Sequence, residues 1–306
     1  FSGLSQTITV DDTQTVDQLV DGILVTGDCA DFTNITSPNN SADSGEGYNS
    51  FGSFDGSNAA FPFDDGIVLT TKNVTEIDNP NAPASGGGLG WGGDADLDQF
   101  IVDPNDDTNN ATAIVFDFIP FVDEISFNYL LASEEYDGFY CNFADTFAFI
   151  LSGPGISDIN SYDHDANPNT PDIQVDLGGL NIATLPGTNI PVSVTNIHNN
   201  NDCAPGQLGE FAVPQLYDDQ LSGNGSTQFF GQTEPLTASA DVNPGDIYQI
   251  KLVIADRNDT LFDSAVFIEG SSFDLGGNPL AGQGVSLGSG NALCEGETIT
   301  LDAGVN

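Results

Sequence analysis

Seven carboxylates stand at spacings that could hold a hard cation. Within LLASEEYDGFYCNFADTFAFILSGPG, residues 130–155, Glu134 and Glu135 close one apolar run and Asp145 opens the next. Asp256 closes a later run and Asp263 opens another, across the connection RNDTLF. Asp94 and Asp96, followed by Asp98, alternate in GGDADLDQF at 92–100. Calcium takes about six to eight oxygen ligands, which two strand connections could supply jointly if each gathers its acids at one sheet end. The expected cofactor is therefore Ca²⁺, held by Asp94, Asp96, Glu134, Glu135, Asp145, Asp256 and Asp263. The 92–100 loop is not an EF-hand: Gln99 stands where the sharp-turn glycine belongs, and Asn105 where the bidentate glutamate should be. Asp163, Asp165 and Asn167 repeat the spacing, without supporting strands. The bland alternative for any one of these acids is a solvated turn residue.

Other chemistries fit less well. Glu134 or Glu135 could act as the acid of a glycoside hydrolase, with a second carboxylate as nucleophile or base. That reaction needs one raised pKa in a partly apolar pocket, whereas so dense a crowd of carboxylates more naturally ends in a cation. The chain is accordingly expected not to be an enzyme. GLGWGG at 88–93 has the GxGxxG form, but three aspartates follow it where an anion would have to bind. GVSLG at 284–288 has the nucleophile-elbow form, but it lies in a Gly/Ser-rich stretch, and the two histidines, His164 and His198, sit in Asn/Asp-rich loops.

The charge balance narrows the partners. The 306 residues carry a formal charge of -43, with 46 acidic residues against three cations: Lys72, Lys251 and Arg257. Nucleic acid is excluded because phosphate binding needs Lys and Arg, and anionic membrane surfaces are excluded by the same repulsion. No run of about eighteen apolar residues is present, so no membrane insertion is expected. Of the acids 36 are Asp and 10 are Glu, which places most of the charge in turns and loop ends. At 39% hydrophobic residues with 21 Phe, the composition is that of a folded chain rather than a disordered one. Four cysteines without a CxxC pair, and a start at Phe1 rather than Met, point to an oxidising compartment reached after loss of a signal peptide.

The elements that must position the acids are strands. Two-residue alternation predicts strands at 67–71, 112–118, 124–132, 146–152, 191–197, 247–255 and 264–273. Ile125, Phe127, Tyr129 and Leu131 share one face, and so do Phe147, Phe149 and Leu151; such faces require a second layer. The expected fold is all-β, an antiparallel β-sandwich of jelly-roll type with long loops. One short N-terminal helix is expected over 13–24, behind a Thr13 cap. The strands at 124–132 and 146–152 are expected to pair as antiparallel neighbours. The domain is expected to occupy 1–275, with a Gly/Ser-rich linker at 276–291 and the first strand of a truncated Ig-like domain at 292–306. Asn34, Asn39, Asn73, Asn110, Asn224 and Asn258 start N-x-S/T triplets and are read as exposed loop positions.

The motifs DGIVLTT (65–71), GGDADLD (92–98), FNYLLASEEYDGF (127–139), FADTFAFILSGPG (143–155), NIATLPGTNIPVSVTNIH (181–198), PLTASADVNPGDIYQIKLVIADRND (235–259) and DSAVFIEGSSF (263–273) closely resemble the choice-of-anchor L domain. That is a secreted bacterial module, common in Bacteroidota, at the front of long surface proteins. The resemblance covers about residues 12–275. It implies export, by the type IX route, to the outer cell surface, and it implies no catalytic reaction. The family's acidic motifs fall on the seven carboxylates named above. Cys141 and Cys203 depart from the family pattern; they sit in loops that could meet, and a disulfide between them is expected. Cys29 is left without an evident mate, and Cys294 is expected to pair beyond residue 306. The start of the Ig-like module resembles those that follow this domain in large gliding or adhesion proteins. The expected function is a calcium-stabilised adhesion or binding module, with Trp91, Tyr136, Phe139 and Tyr140 contacting surface glycans or another extracellular target. The alternative is a self-associating subunit of an extracellular filament.

Overall fold

Alternating apolar side chains build nearly every element. The computed structural model describes residues 7–25, 32–80, 90–101, 106–199, 203–218 and 226–276. In chain order the strands are β1 (Thr9–Asp11), β2 (Phe32–Asn39), β3 (Phe51–Asp55), β4 (Asp65–Thr70), β5 (Thr108–Phe118), β6 (Glu124–Ser133), β7 (Thr146–Ser152) and β8 (Ile159–Tyr162). They continue with β9 (Ile173–Asp176), β10 (Leu180–Asn181), β11 (Tyr217–Asp218), β12 (Gly231–Thr233), β13 (Leu236–Asp241), β14 (Tyr248–Arg257) and β15 (Ser264–Glu269). An eight-stranded sheet runs β1-β3-β4-β15-β6-β12-β11, with β13 also on β6, and a five-stranded sheet runs β10-β7-β14-β5-β2. A small hairpin, β8 with β9, completes the set. Every pairing between these strands is antiparallel. The fold is therefore the expected all-β sandwich type, with a sheet curled into a half-barrel.

The main core lies between the two large sheets. Ile125, Phe127, Tyr129 and Leu131 of β6 meet Phe147, Phe149 and Leu151 of β7 there, together with Ile250, Leu252 and Ile254 of β14. Phe127 and Tyr129 stack edge or tilted on Phe149 at 5.0 and 4.9 Å. Burying each such side chain contributes about 1.5–3 kcal/mol. The outer face of the larger sheet carries a second apolar cluster with Val68, Leu130, Ala132, Ala265 and Phe267. The outer face of the smaller one is covered by Tyr162 and Val175 of the β8–β9 hairpin.

Three local expectations are corrected. The strands at 124–132 and 146–152 are not neighbours: β6 pairs with β12, β13 and β15, while β7 pairs with β10 and β14. Consecutive strands change sheets here because both are apolar on two faces and each finds its partners elsewhere in the chain. Residues 191–197 form turns rather than a strand, their Val192, Val194 and Ile197 turned into the core. The N-terminal helix is shorter than expected: α1 (Val16–Leu19) starts from a capping box in which Thr15, not Thr13, is the cap and Gln18 closes the box, and a π turn over Val20–Leu24 follows. The linker from residue 277, the Ig-like start, Cys29, Cys294 and Asn224 lie outside the described residues.

Candidate functional site

Two crossings between the sheets bring the acids together. From β6 to β7, and again from β14 to β15, the chain leaves one sheet and enters the other at the same end of the sandwich. The β6 end turns through Glu134–Tyr136, where the Ser133 hydroxyl accepts the Glu135 amide at 2.9 Å. Glu134, Glu135, Asp145, Asp256 and Asp263 are all buried, none more than 4% exposed. Their partners come from both crossings. The Asp145 amide donates to Glu135 Oε2 at 3.0 Å, the Arg257 amide to Asp145 Oδ1 at 3.3 Å, and the Asp263 amide to Glu134 Oε2 at 3.2 Å. The Ser264 hydroxyl donates to Asp145 Oδ2 at 2.6 Å, and Asn110 Nδ2 to Asp256 Oδ2 at 2.7 Å. Asp256 Oδ1 is buried with no hydrogen-bond partner.

Charges this dense in a low dielectric shift their own protonation. Burial pushes Glu135 up to about 8, with only its bond from the Asp145 amide and the charge of Arg257 acting the other way, against Asp259. Asp145 is held well above the usual carboxylate range by burial and then by Glu135 and Asp256. Asp256 is raised in the same way by burial and by Asp263. One cation enters the group: Lys72, the residue two past the end of β4, stands 3.1 Å from Glu134 Oε1 and 3.3 Å from Asp263 Oδ2.

Asp94 and Asp96 stand elsewhere. Both bind Lys251 Nζ at 2.7 Å, and Asp94 Oδ1 also accepts the amides of Asp96 and Leu97, closing the short turn before Leu97–Phe100. Asp98 accepts the Thr108 amide and hydroxyl. Among the described residues no three His, Cys, Asp or Glu side chains are arranged to hold a metal ion as they stand. The seven expected ligands thus divide into five buried acids around Lys72 and two outlying ones on Lys251.

The aromatic candidates divide as well. Trp91 is buried, its indole nitrogen donating to the Ala111 carbonyl at 2.6 Å and its ring edge-on to Tyr48; it packs the loop and offers no contact surface. Phe139 is exposed against Phe143 and Phe262. Tyr136 and Tyr140 are also buried, as part of the main core, and with Asp137, Gly138, Asn199, Tyr217 and Phe230 they form the lining of an open hollow of about 440 Å³. Gly138, at φ +93°, lets the chain turn back beneath it. Cys141 and Cys203 are joined by a disulfide, which ties the segment after Tyr140 to the segment carrying Asn199. His198 is buried beneath, 4.5 Å from the Tyr140 ring and bonded to the Gly209 carbonyl.

Sequence reasoning missed Lys72, Asn110, Thr71 and Ser264. Lys72 carried a usable signal, being one of three cations and placed straight after an apolar strand. Asn110, expected at an exposed loop position, is instead buried, at φ +50°, with its side chain joining Trp91 to Asp256.

The family model described as "Choice-of-anchor L domain" matches residues 7–274, nearly the whole described chain. Neither a curated relative nor a solved structure matches.

Proposed function

The chain belongs to the choice-of-anchor L family, a type of domain found on surface or extracellular proteins, and we propose that it is a non-enzymatic binding domain whose hollow takes a neutral glycan. The observation that carries this reading is the hollow itself: Tyr217 and the exposed Phe230 bring aromatic edges over the buried Tyr136 and Tyr140, and Asp137 and Asn199 bring hydrogen-bonding groups, to one open site of about 440 Å³. Sugars offer the matching combination of apolar C–H faces and hydroxyls. A charge of -43 disfavours acidic sugars. None of the five buried acids lines this hollow, nor the smaller cavity floored by Phe147 and Arg257, which supports a binding role over a hydrolytic one. The test is binding to a panel of neutral and acidic oligosaccharides. Retention of a neutral glycan, reduced about tenfold or more by Tyr217→Ala or Phe230→Ala with the melting temperature kept, is the expected result. A protein that retains none, or whose binding survives both substitutions, is not a glycan module.

Calcium enters as a second reading, favoured by the unsatisfied Asp256 Oδ1 beside Asp145 and Glu135. An ion there would neutralise carboxylates that burial otherwise keeps protonated, and would fix the Glu134–Tyr136 turn that presents the hollow. With calcium removed by a chelator, the melting temperature is expected to fall, since a native-state ligand must raise it. An unmoved melting curve removes calcium from the proposal and leaves the glycan site standing.

A further inference from the structure

Lys72, Asp263 and Glu134 occupy one rank across three adjacent strands. In the ladders of β4 with β15 and of β15 with β6, Val68, Phe267 and Leu130 stand side by side, and so do Thr70, Ala265 and Ala132. Two residues further along each strand direction come Lys72, Asp263 and Glu134. The ladder contacts continue to that point: the Thr71 amide donates to the Ser264 carbonyl at 3.1 Å and the Glu134 amide to the Asp263 carbonyl at 3.0 Å. Lys72 Nζ lies 3.3 Å from Asp263 Oδ2, and the Glu134 carboxylate touches both partners, with Oε1 at 3.1 Å from Nζ and Oε2 accepting the Asp263 amide at 3.2 Å. The three residues are buried, with Ala132, Ala265 and Phe267 of the outer apolar cluster on the ranks behind them.

We propose that this triad forms an intramolecular isopeptide bond between Lys72 Nζ and Asp263 Cγ, with Glu134 carrying the protons. The ammonium passes a proton to Glu134, and the neutral amine that results attacks the Asp263 carboxyl carbon. A C–N bond forms and one C–O bond breaks. The departing Asp263 oxygen leaves as water, taking two of the three protons that Nζ began with, and Glu134 ends as it started. Nothing is oxidised or reduced, and no co-reactant is needed. In bulk water such a condensation does not run, because amine and acid are charged, dilute and surrounded by the product. Here the fold fixes the nucleophile against its electrophile, which is worth a very large effective concentration. It also excludes the water that would reverse the step, and places a carboxylate within reach of both as acid–base catalyst. The consequence suits a surface domain under tension: the early strand β4 and the last described strand, β15, would be covalently one, so a pull between them could not open the sheet.

Intact mass of the disulfide-reduced wild-type chain is expected to lie one water below the mass its sequence requires. After denaturation, trypsin is expected to leave the Lys72–Asn73 bond uncut, and the peptides carrying Lys72 and Asp263 should be recovered joined. Lys72→Arg keeps the positive charge but presents a poor nucleophile, and Glu134→Gln removes the proton carrier; each is expected to restore the full sequence mass, the first while still melting cooperatively. A folded wild-type chain at its full sequence mass, or a missing water that persists in Lys72→Arg, overturns the proposal.

Discussion

Two lysines of this protein each bridge a pair of carboxylates, Lys72 with the exposed Glu76 at 4.0 Å as a third, and they do different things. Lys251 has the closer contacts, 2.7 Å to Asp94 and 2.7 Å to Asp96, yet its side chain is 18% exposed and that of Asp96 37%. Lys72 is looser, 3.1 and 3.3 Å from its partners, but it is 4% exposed and Glu134 not at all. Distance alone would rank Lys251 the stronger site. Water decides otherwise: the Lys251 site is part-buried, with Asp94 11% exposed, and its members can still be re-solvated, while the more deeply buried pair has no substitute if either member is lost. Burial also gives Lys72 its chemical potential, because an amine, a carboxyl and a carboxylate held together without water are reactants, whereas the same groups in solvent are only counter-ions.

The largest way to break this comparison is to delete each lysine. Lys72→Ala removes the amine of the proposed cross-link and leaves the Glu134 and Asp263 carboxylates buried beside Asp145 and Asp256 with no counter-group, and such a loss costs about 3–5 kcal/mol or more. Lys251→Ala leaves carboxylates that water can reach, and should cost about 1 kcal/mol or less. Denaturant unfolding of the two variants, each with its own slope because only Lys251→Ala keeps the proposed cross-link, measures the difference. Equal losses would mean that exposure is not what separates the sites, and that the main role of Lys251 is structural support for the 92–100 turn.

The same contrast explains what was legible in the sequence. The gathering of Glu134, Glu135, Asp145, Asp256 and Asp263 could be seen because each acid marks the place where an apolar alternation stops or starts. The reason they gather was misread. Both connections look like hairpins, but β6, β7, β14 and β15 are apolar on two faces, so nothing local says whether the next strand in the chain is the neighbour in the sheet. The acids converge because two crossings between sheets lie at one end, with five carboxylates from four strand ends packed into the gap. Lys72 was overlooked because a lone lysine after a strand is ordinarily a solvated end residue, and only the tertiary position of Glu134 and Asp263 makes it otherwise. Asp94 and Asp96 share the composition of the buried group but not its place, since the Asp94 amide donates to the Thr108 hydroxyl and both carboxylates accept from Lys251. Trp91 looked like a contact residue beside glycines; those glycines instead let the loop pack closely, and Gly93 approaches the Thr108 carbonyl so nearly that any side chain there would collide with it.

The smallest effect sharpens the comparison from within the exposed site. Asp94 and Asp96 bind Lys251 at equal distance, but only Asp94 also accepts two backbone amides, those of Asp96 and Leu97. Asp96→Asn removes one half-exposed charge and leaves both amides satisfied, so its cost should be about 0.2–1 kcal/mol at low salt. It should shrink further as ionic strength rises, because the charges it separates are reached by counter-ions within a Debye length of about 10 Å at 0.1 M. Asp94→Ala, by contrast, strips two turn amides of their acceptor, and that part of its cost is not screened. Unfolding measured at low and high salt therefore tells the pair apart: a salt-sensitive, sub-kilocalorie loss for Asp96→Asn, and a larger loss with a salt-insensitive remainder for Asp94→Ala. If Asp96→Asn proved as costly as Lys72→Ala and indifferent to salt, the 92–100 turn would have to be counted with the buried charges, and the division drawn between the two lysines would fail.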